Sequence, residues 1–134
     1  MASIFTKIID REIPAYIIAE DEKHIAFLDI FPNAKGHTLV VPKKEIDKIF
    51  DMSEAAYLDL MRFARKVAKA QEKVFTDVKR IGMAVVGLEV PHVHVHLIPL
   101  KEMDDMNFKK TLTLSKEEFV DIQKQLQTAF EQNK

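Results

Sequence analysis

Five histidines occur in this chain, and three of them stand at positions 92, 94 and 96, with Val93, Val95 and Leu97 interleaved. In a β-strand, residues two apart point to the same side. The spacing therefore predicts one row of imidazoles about 6.5 to 7 Å apart, with the aliphatic residues turned the other way into a core. A single histidine on a strand is ordinarily a satisfied or solvated side chain, but three in strict alternation with apolar partners point to chemistry. Two chemistries fit. Neutral imidazole is a common zinc ligand, and two histidines two apart on a strand can present nitrogens to one ion. Imidazole, with a pKa near ~6.5, can also attack phosphorus as the neutral base, leave readily from a phosphoryl-imidazolium and pass protons to a neighbour. The spacing alone leaves both open.

Such a row must be held by a sheet, and the surrounding sequence supplies one. Tyr16 to Ala19 and His24 to Ile30 are β-branched and aromatic runs around the polar Glu20-Asp21-Glu22-Lys23, the pattern of a hairpin. Phe31 to Gly36 is loop chemistry leading into His37-Thr-Leu-Val-Val-Pro42, a third strand ended by proline. Ile81 to Val86 and His92 to Leu97 predict two more strands. Helices are expected at three places. Ser3 to Ile9 puts Ile4, Phe5, Ile8 and Ile9 on one face of two turns, closed by Ile13-Pro14. Asp51-Met-Ser-Glu54 has capping-box spacing before a long amphipathic run through Leu58, Met61, Ala64, Val67, Ala68 and Val74. Ser115-Lys-Glu-Glu118 repeats that spacing before Phe119, Ile122, Leu126 and Phe130. Grouped strands predict an α+β domain spanning residues 1–134, with a mainly antiparallel five-stranded sheet, one long central helix and a C-terminal helix. There is no G-x-G-x-x-G or Walker-type loop, so phosphate recognition would fall to side chains or another backbone arrangement.

Composition narrows the partners. Lys plus Arg total 20 and Asp plus Glu 21, a net charge of -1 that gives no bulk attraction for nucleic acid or an anionic membrane. The absence of cysteine removes disulfides, thiolate zinc sites, iron-sulfur clusters and thiol catalysis, and fits a reducing compartment. The start of the chain lacks a signal-peptide pattern and no run approaches the ~18 apolar residues of a membrane span, so the expectation is a soluble cytoplasmic protein.

The run His92-Val-His-Val-His-Leu-Ile98 resembles the H-φ-H-φ-H-φ-φ signature of the histidine-triad (HIT) family, nucleotide hydrolases and transferases that act at the α-phosphorus of nucleoside phosphoesters, anhydrides and phosphoramidates. Ile4-Phe5-Thr-Lys-Ile-Ile9, Glu12-Ile-Pro14, Glu20-Asp21, Ala26-Phe-Leu-Asp-Ile30 and Gly36-His-Thr-Leu-Val-Val-Pro-Lys43 are similar, in order and spacing, to the N-terminal half of its Hint-like branch. The resemblance covers residues 4 to about 99. It implies a HIT-like fold and a purine nucleotide substrate such as an AMP conjugate. His94 would be the nucleophile, forming a nucleotidyl-histidine intermediate. His92 would orient it, His96 would contact phosphate and His37 would complete the set. Ile4, Phe5, Ile8, Ile13, Phe27 and Ile30 would form the slot for the base; read from the residues alone, the same six are plain core. Asp29, a carboxylate between Leu28 and Ile30, needs a partner, either a backbone cap in the next turn or, as the resemblance implies, the ribose diol. His24 matches no functional position and is expected at the surface. The resemblance also implies a homodimer in which the helix from about 53 to 76 and a strand edge meet a second copy, although that helix is merely amphipathic and could use its apolar face within one subunit.

Departures from the family pattern carry their own expectations. Where many bacterial relatives have C-x-x-C and a later histidine that bind structural zinc with a triad histidine, this chain has Ser3, Thr6 and Glu45. Neither a metal nor another cofactor is expected. Before the triad, relatives usually carry an asparagine and Gly-Gln-Ser/Thr, whereas this chain reads Gly82-Met-Ala-Val-Val-Gly-Leu-Glu89. A Glu89 in the hydroxyl position would disfavour a second phosphate and favour a cationic leaving group such as an amine. Leu100, where several relatives have arginine, removes another anion contact. A second class of function follows from these losses: a nucleotide-binding or partner-binding protein with little turnover.

Overall fold

The computed structural model describes residues 2–133. In chain order its elements are α1 (Ile4–Ile9), β1 (Ile17–Glu20), β2 (His24–Leu28), β3 (Thr38–Pro42), α2 (Glu54–Val74), β4 (Arg80–Ala84), β5 (Val95–Leu100) and α3 (Lys116–Gln132), with 3-10 turns at Ile49–Asp51 and Met103–Met106. The five strands form one sheet in the order β1-β2-β3-β5-β4, and every neighbouring pair is antiparallel. This is the expected α+β architecture. No described helix is long and apolar enough to cross a membrane.

The period of two along the strands divides the core between the sheet's faces. Ala26, Leu28, Val40, Val95 and Leu97 join Leu60, Phe63, Ala64 and Val67 of α2 and Phe119, Ile122 and Leu126 of α3. Ile25, Phe27, Leu39 and Val41 meet Phe5 and Ile8 of α1. Each such large aliphatic or aromatic side chain fully withdrawn from water contributes about 1.5 to 3 kcal/mol, so the helices lie flat on the sheet because their apolar stripes do.

Two local expectations shift. Asp51 does not cap α2; it ends the 3-10 turn, and Ser53 is the N-cap, its hydroxyl accepting the Ala56 N–H at 3.2 Å. Ser53 wins because it immediately precedes the first helical residue, which puts its hydroxyl within reach of the third helical amide. Of the apolar residues expected on the inner face of α2, Ala64 and Val67 are buried and Met61, Ala68 and Val74 pack against the core, joined by Leu60, Phe63, Ala70 and Gln71, while Leu58 is 49% exposed. The box at Ser115 forms as expected, with Ser115 and Glu118 bonding reciprocally.

The β3–β5 pairing positions the chemistry. Leu39 is opposite His96, which brings His37, just ahead of β3, alongside the last triad histidine. The approach to β3 needs Gly36, whose φ of 92° lies in the left-handed region; a Cβ there would sit 2.3 Å from the Phe75 ring.

Candidate active site

The triad is only partly in the ladder. β5 begins at Val95; His92 and His94 arrive through a turn after Pro91, in which the His92 N–H donates to Val90 O and the Val93 N–H to Ile46 O. The alternation nevertheless holds where it matters. Val93, Val95 and Leu97 are buried in the helix-facing core. Phe5 packs edge-on against the rings of His92 and His94, at 5.8 and 4.9 Å between centroids, and His94 meets His96 at 5.0 Å. All three imidazoles are buried.

The hydrogen-bond partners settle which nitrogen of each ring carries the proton. His94 Nδ1 lies 2.7 Å from the His92 carbonyl oxygen, which can only accept. The proton of neutral His94 is therefore on Nδ1, and Nε2 holds the lone pair. The Asn33 N–H donates to His37 Nδ1 at 3.0 Å, so the His37 proton sits on Nε2 and is donated to His96 Nδ1 at 2.9 Å. His96 in turn carries its proton on Nε2. A ring nitrogen with a free lone pair and an N–H donor thus stand on adjacent rings.

Burial keeps these rings neutral. It pulls His94 below the ordinary imidazole range against the His92 carbonyl and the Asp29 carboxylate, which favour the cation. Burial, then the neighbouring imidazoles, bring His37 down to about 3; burial and then His94 bring His96 down to about 4. Glu89 is exposed on the loop between β4 and the triad, and its charge also acts on His94 in favour of the cation.

Asp29 has one of the partners expected of it. Its Oδ1 accepts the Phe31 N–H at 2.9 Å in the following turn, while Oδ2 lies 3.6 Å from His37 Nε2. Burial raises its pKa. Of the six apolar residues, Phe5, Ile8 and Phe27 are buried in one cluster with Ile13 packed against it, whereas Ile4 and Ile30 are 49% and 55% exposed and lie outside it. His24 is not at the surface. It is 5% exposed, stacks on Phe63 at 5.2 Å and bonds Asp21 through Nδ1 at 3.0 Å, because its strand faces α2 at that point.

Three contributors lie outside the residues that the sequence singles out. Asn33 sets the His37 tautomer, Val90 closes over the Phe5–Phe27 cluster, and Phe108 places its ring 4.7 Å from His96. None has a periodic or motif signal; each is brought in by a loop.

Neither possible metal site has a suitable donor set. Asp29, His37 and His96 converge within 4.8 Å, but the His37 lone pair at Nδ1 is taken by a backbone N–H and its proton lies between the two rings, where an ion would have to sit. Ser3, Thr6 and Glu45 do gather beside His92, but they offer two hydroxyls and a carboxylate in place of the thiolates and imidazoles that hold structural zinc.

Residues 10–103 match the family model of the HIT domain. The chain belongs to the HIT family. A HIT-like protein of Methanocaldococcus jannaschii is 43% identical over 104 residues, covering 75% of this chain and 81% of that one. An adenosine 5′-monophosphoramidase of Saccharomyces cerevisiae is 40% identical over 101 residues, covering 75% of this chain and 64% of the yeast protein. Among solved structures, a HIT-like protein of Bartonella henselae superposes with a TM-score of 0.82 at 32% identity, covering 95% of each chain. The HIT-like fold and family are thus those the sequence resembled.

Proposed function

We propose that this HIT protein hydrolyses purine nucleoside phosphoramidates or related AMP conjugates at the α-phosphorus, through a nucleotidyl-His94 intermediate. The observation that carries this reading is the pair of adjacent rings, His94 with its lone pair on Nε2 and His96 with its proton on Nε2. His94 Nε2 attacks phosphorus, the bond to the leaving nitrogen breaks and the amine departs after taking up one proton. Water then attacks the same phosphorus, the phosphorus–His94 bond breaks, and AMP is released with one proton returned to solvent. His96 donates to a phosphoryl oxygen, and His37 holds the His96 tautomer. The base lies against Phe5, Ile8, Ile13 and Phe27, flanked by Ile4 and Ile30, and Asp29 takes the ribose hydroxyls. The kinship to a phosphoramidase supports the substrate class. Glu89 supports an amine over a further phosphate, because its charge sits near the nucleophile.

The same reading includes a cytoplasmic homodimer. β4 is an edge strand, with Met83, Val85 and Val86 exposed on it and just beyond it, and Leu58 is exposed on α2; an edge with unpaired backbone groups and exposed apolar side chains suits a second copy.

A second reading, a nucleotide-binding or partner-binding protein with little turnover, draws on the 85–89 loop. Val85, Val86 and Leu88 there are exposed and apolar, and the loss of one oxyanion donor elsewhere costs ~2.7 to 4 kcal/mol. AMP release from adenosine 5′-phosphoramidate and from a diadenosine polyphosphate, measured with wild type, His94→Ala and Glu89→Ser, decides between them. Release that requires His94 and favours the phosphoramidate is the expected result, with Glu89→Ser narrowing that preference. AMP binding with no release from either substrate would select the second reading.

A further inference from the structure

Four side chains from three separate stretches of chain meet at the far end of the triad. Ser3 is the N-cap of α1, and its hydroxyl accepts the Thr6 N–H at 3.0 Å. Glu45, beyond β3, accepts with the same Oε1 from the Ser3 N–H at 2.7 Å and from the Thr6 hydroxyl at 2.6 Å. Ser3 Oγ lies 2.7 Å from His92 Nδ1. On its other side, His92 Nε2 is 2.8 Å from the carbonyl oxygen of Pro42, which can only accept. His92 therefore donates from Nε2 and accepts at Nδ1, and the Ser3 hydroxyl proton is what it accepts.

The direction of every bond follows from these constraints. Thr6 donates to Glu45, Ser3 donates to His92, His92 donates to Pro42, and the His92 carbonyl accepts from His94. Bonds on opposite sides of the His92 ring prevent its rotation. Its carbonyl is in turn the acceptor that keeps the His94 proton on Nδ1 and its lone pair on Nε2. Capping α1 requires only the Ser3 hydroxyl and the Thr6 amide. Glu45 adds something a cap does not need: it ties the first turn of α1 to the chain beyond β3. The two donated bonds, against a smaller opposing effect of burial, hold its carboxyl down to about 2, so it is an acceptor at every working pH.

These are the positions at which the family pattern of many bacterial relatives places zinc ligands, and in this chain the donors there are committed to one another. We propose that Ser3, Thr6 and Glu45 form a metal-free clamp that positions His92 and, through its carbonyl, His94. These are positioning residues; none of them touches the reacting atoms. The catalytic consequence rests on His94 being the nucleophile, whereas the effect on its tautomer does not.

The test compares the wild-type chain with Glu45→Ala, Glu45→Gln and the near-isosteric Thr6→Val. Three quantities are read: zinc content of the purified protein, kcat and KM for adenosine 5′-phosphoramidate before and after dialysis against EDTA, and the imidazole ¹⁵N shifts of His94. We expect no stoichiometric zinc and no change on dialysis. Glu45→Ala lowers kcat about tenfold with KM within about twofold, since misplacement of a reacting group is costly in rate. It also moves the His94 nitrogens from a single Nδ1–H pattern toward the averaged values of mixed tautomers. Glu45→Gln, which keeps an acceptor oxygen, stays within about threefold of wild type. Unchanged kcat and His94 shifts in Glu45→Ala would overturn the proposal. So would equal losses in the alanine and glutamine variants, or stoichiometric zinc whose removal lowers kcat. If the wild type releases no AMP, the assigned activity fails on its own and the His94 shifts still decide the clamp. If Glu45→Ala does not fold, Thr6→Val removes one arm of the clamp with the shape kept, and the same shifts are read there.

Discussion

His37 Nε2 lies 2.9 Å from His96 Nδ1, with a backbone amide donating to the far nitrogen of His37, so one chain of donors runs from Asn33 through both rings. A proton added to either ring would place a second donor against the first. Burial adds to that cost, and the Asp29 carboxylate, 3.6 Å from His37, is itself pushed toward its neutral form.

The pair makes stability depend on pH in a definite direction. Both pKa values are lowered on folding, to about 3 and about 4, from an unfolded value near ~6.5. Between those limits the unfolded chain binds more protons, so stability is fully present above about pH 6.5 and is lost as the pH falls below it. The Asp29 pKa is raised, so its protonation acts in the opposite sense, and the comparison is made over the window from pH 7 to 5. Thermal melts across that window should fall by about 5 °C or more in the wild type and by clearly less in His96→Asn. Equal slopes in the two proteins would mean that His96 is not the buried neutral group described.

Asp29 separates a turn cap from a ribose ligand. Its Oδ1 already accepts the Phe31 N–H, and an asparagine can keep that bond. What Asp29→Asn removes is the charge on the other oxygen, and hydrogen bonds to a charged acceptor are worth about 1.5 to 3 kcal/mol. The expected result is a KM for adenosine 5′-phosphoramidate raised about 10- to 100-fold, kcat nearly unchanged, and no remaining preference for the ribo over the 2′-deoxy substrate. A variant that keeps the wild-type KM and preference would leave Asp29 as a cap alone.

What could be read from sequence depended on how local the cause was. The His–aliphatic alternation placed Val95 and Leu97 in the helix-facing core and His94 and His96 on the other face, because period two is a property of the strand itself. The Ser115–Glu118 box formed for the same reason, its partners lying within one turn. His24, expected at the surface, is buried because its partner, Phe63, comes from a helix far along the chain. On α2 the expectation fails at Leu58 alone of its six residues, because an amphipathic run has several nearly equivalent phases until the sheet selects one. At the site, the triad and Asp29 were legible as residue types. The proton positions were not, because they depend on the Asn33 amide and the His92 and Pro42 carbonyls, which are brought there by turns.

Gln71 carries the most specific stability expectation. It is fully buried on α2, and its Nε2 lies 3.1 Å from Gly36 O, 3.2 Å from Thr38 Oγ1 and 3.0 Å from Leu97 O. Gly36 precedes His37 and Leu97 follows His96, so one amide beneath the sheet ties together the two backbones that bring those rings into contact. Gln71→Leu keeps the approximate volume and removes the donor from acceptors that water does not reach. The loss should be about 1 to 3 kcal/mol in urea denaturation, the cost of buried polar groups deprived of a partner. Loosening of the same two strands should lower kcat for the phosphoramidate more than it raises KM. An unchanged urea midpoint with an unchanged m-value would show that the ladder bonds alone satisfy those carbonyls and that Gln71 is dispensable to the His37–His96 geometry.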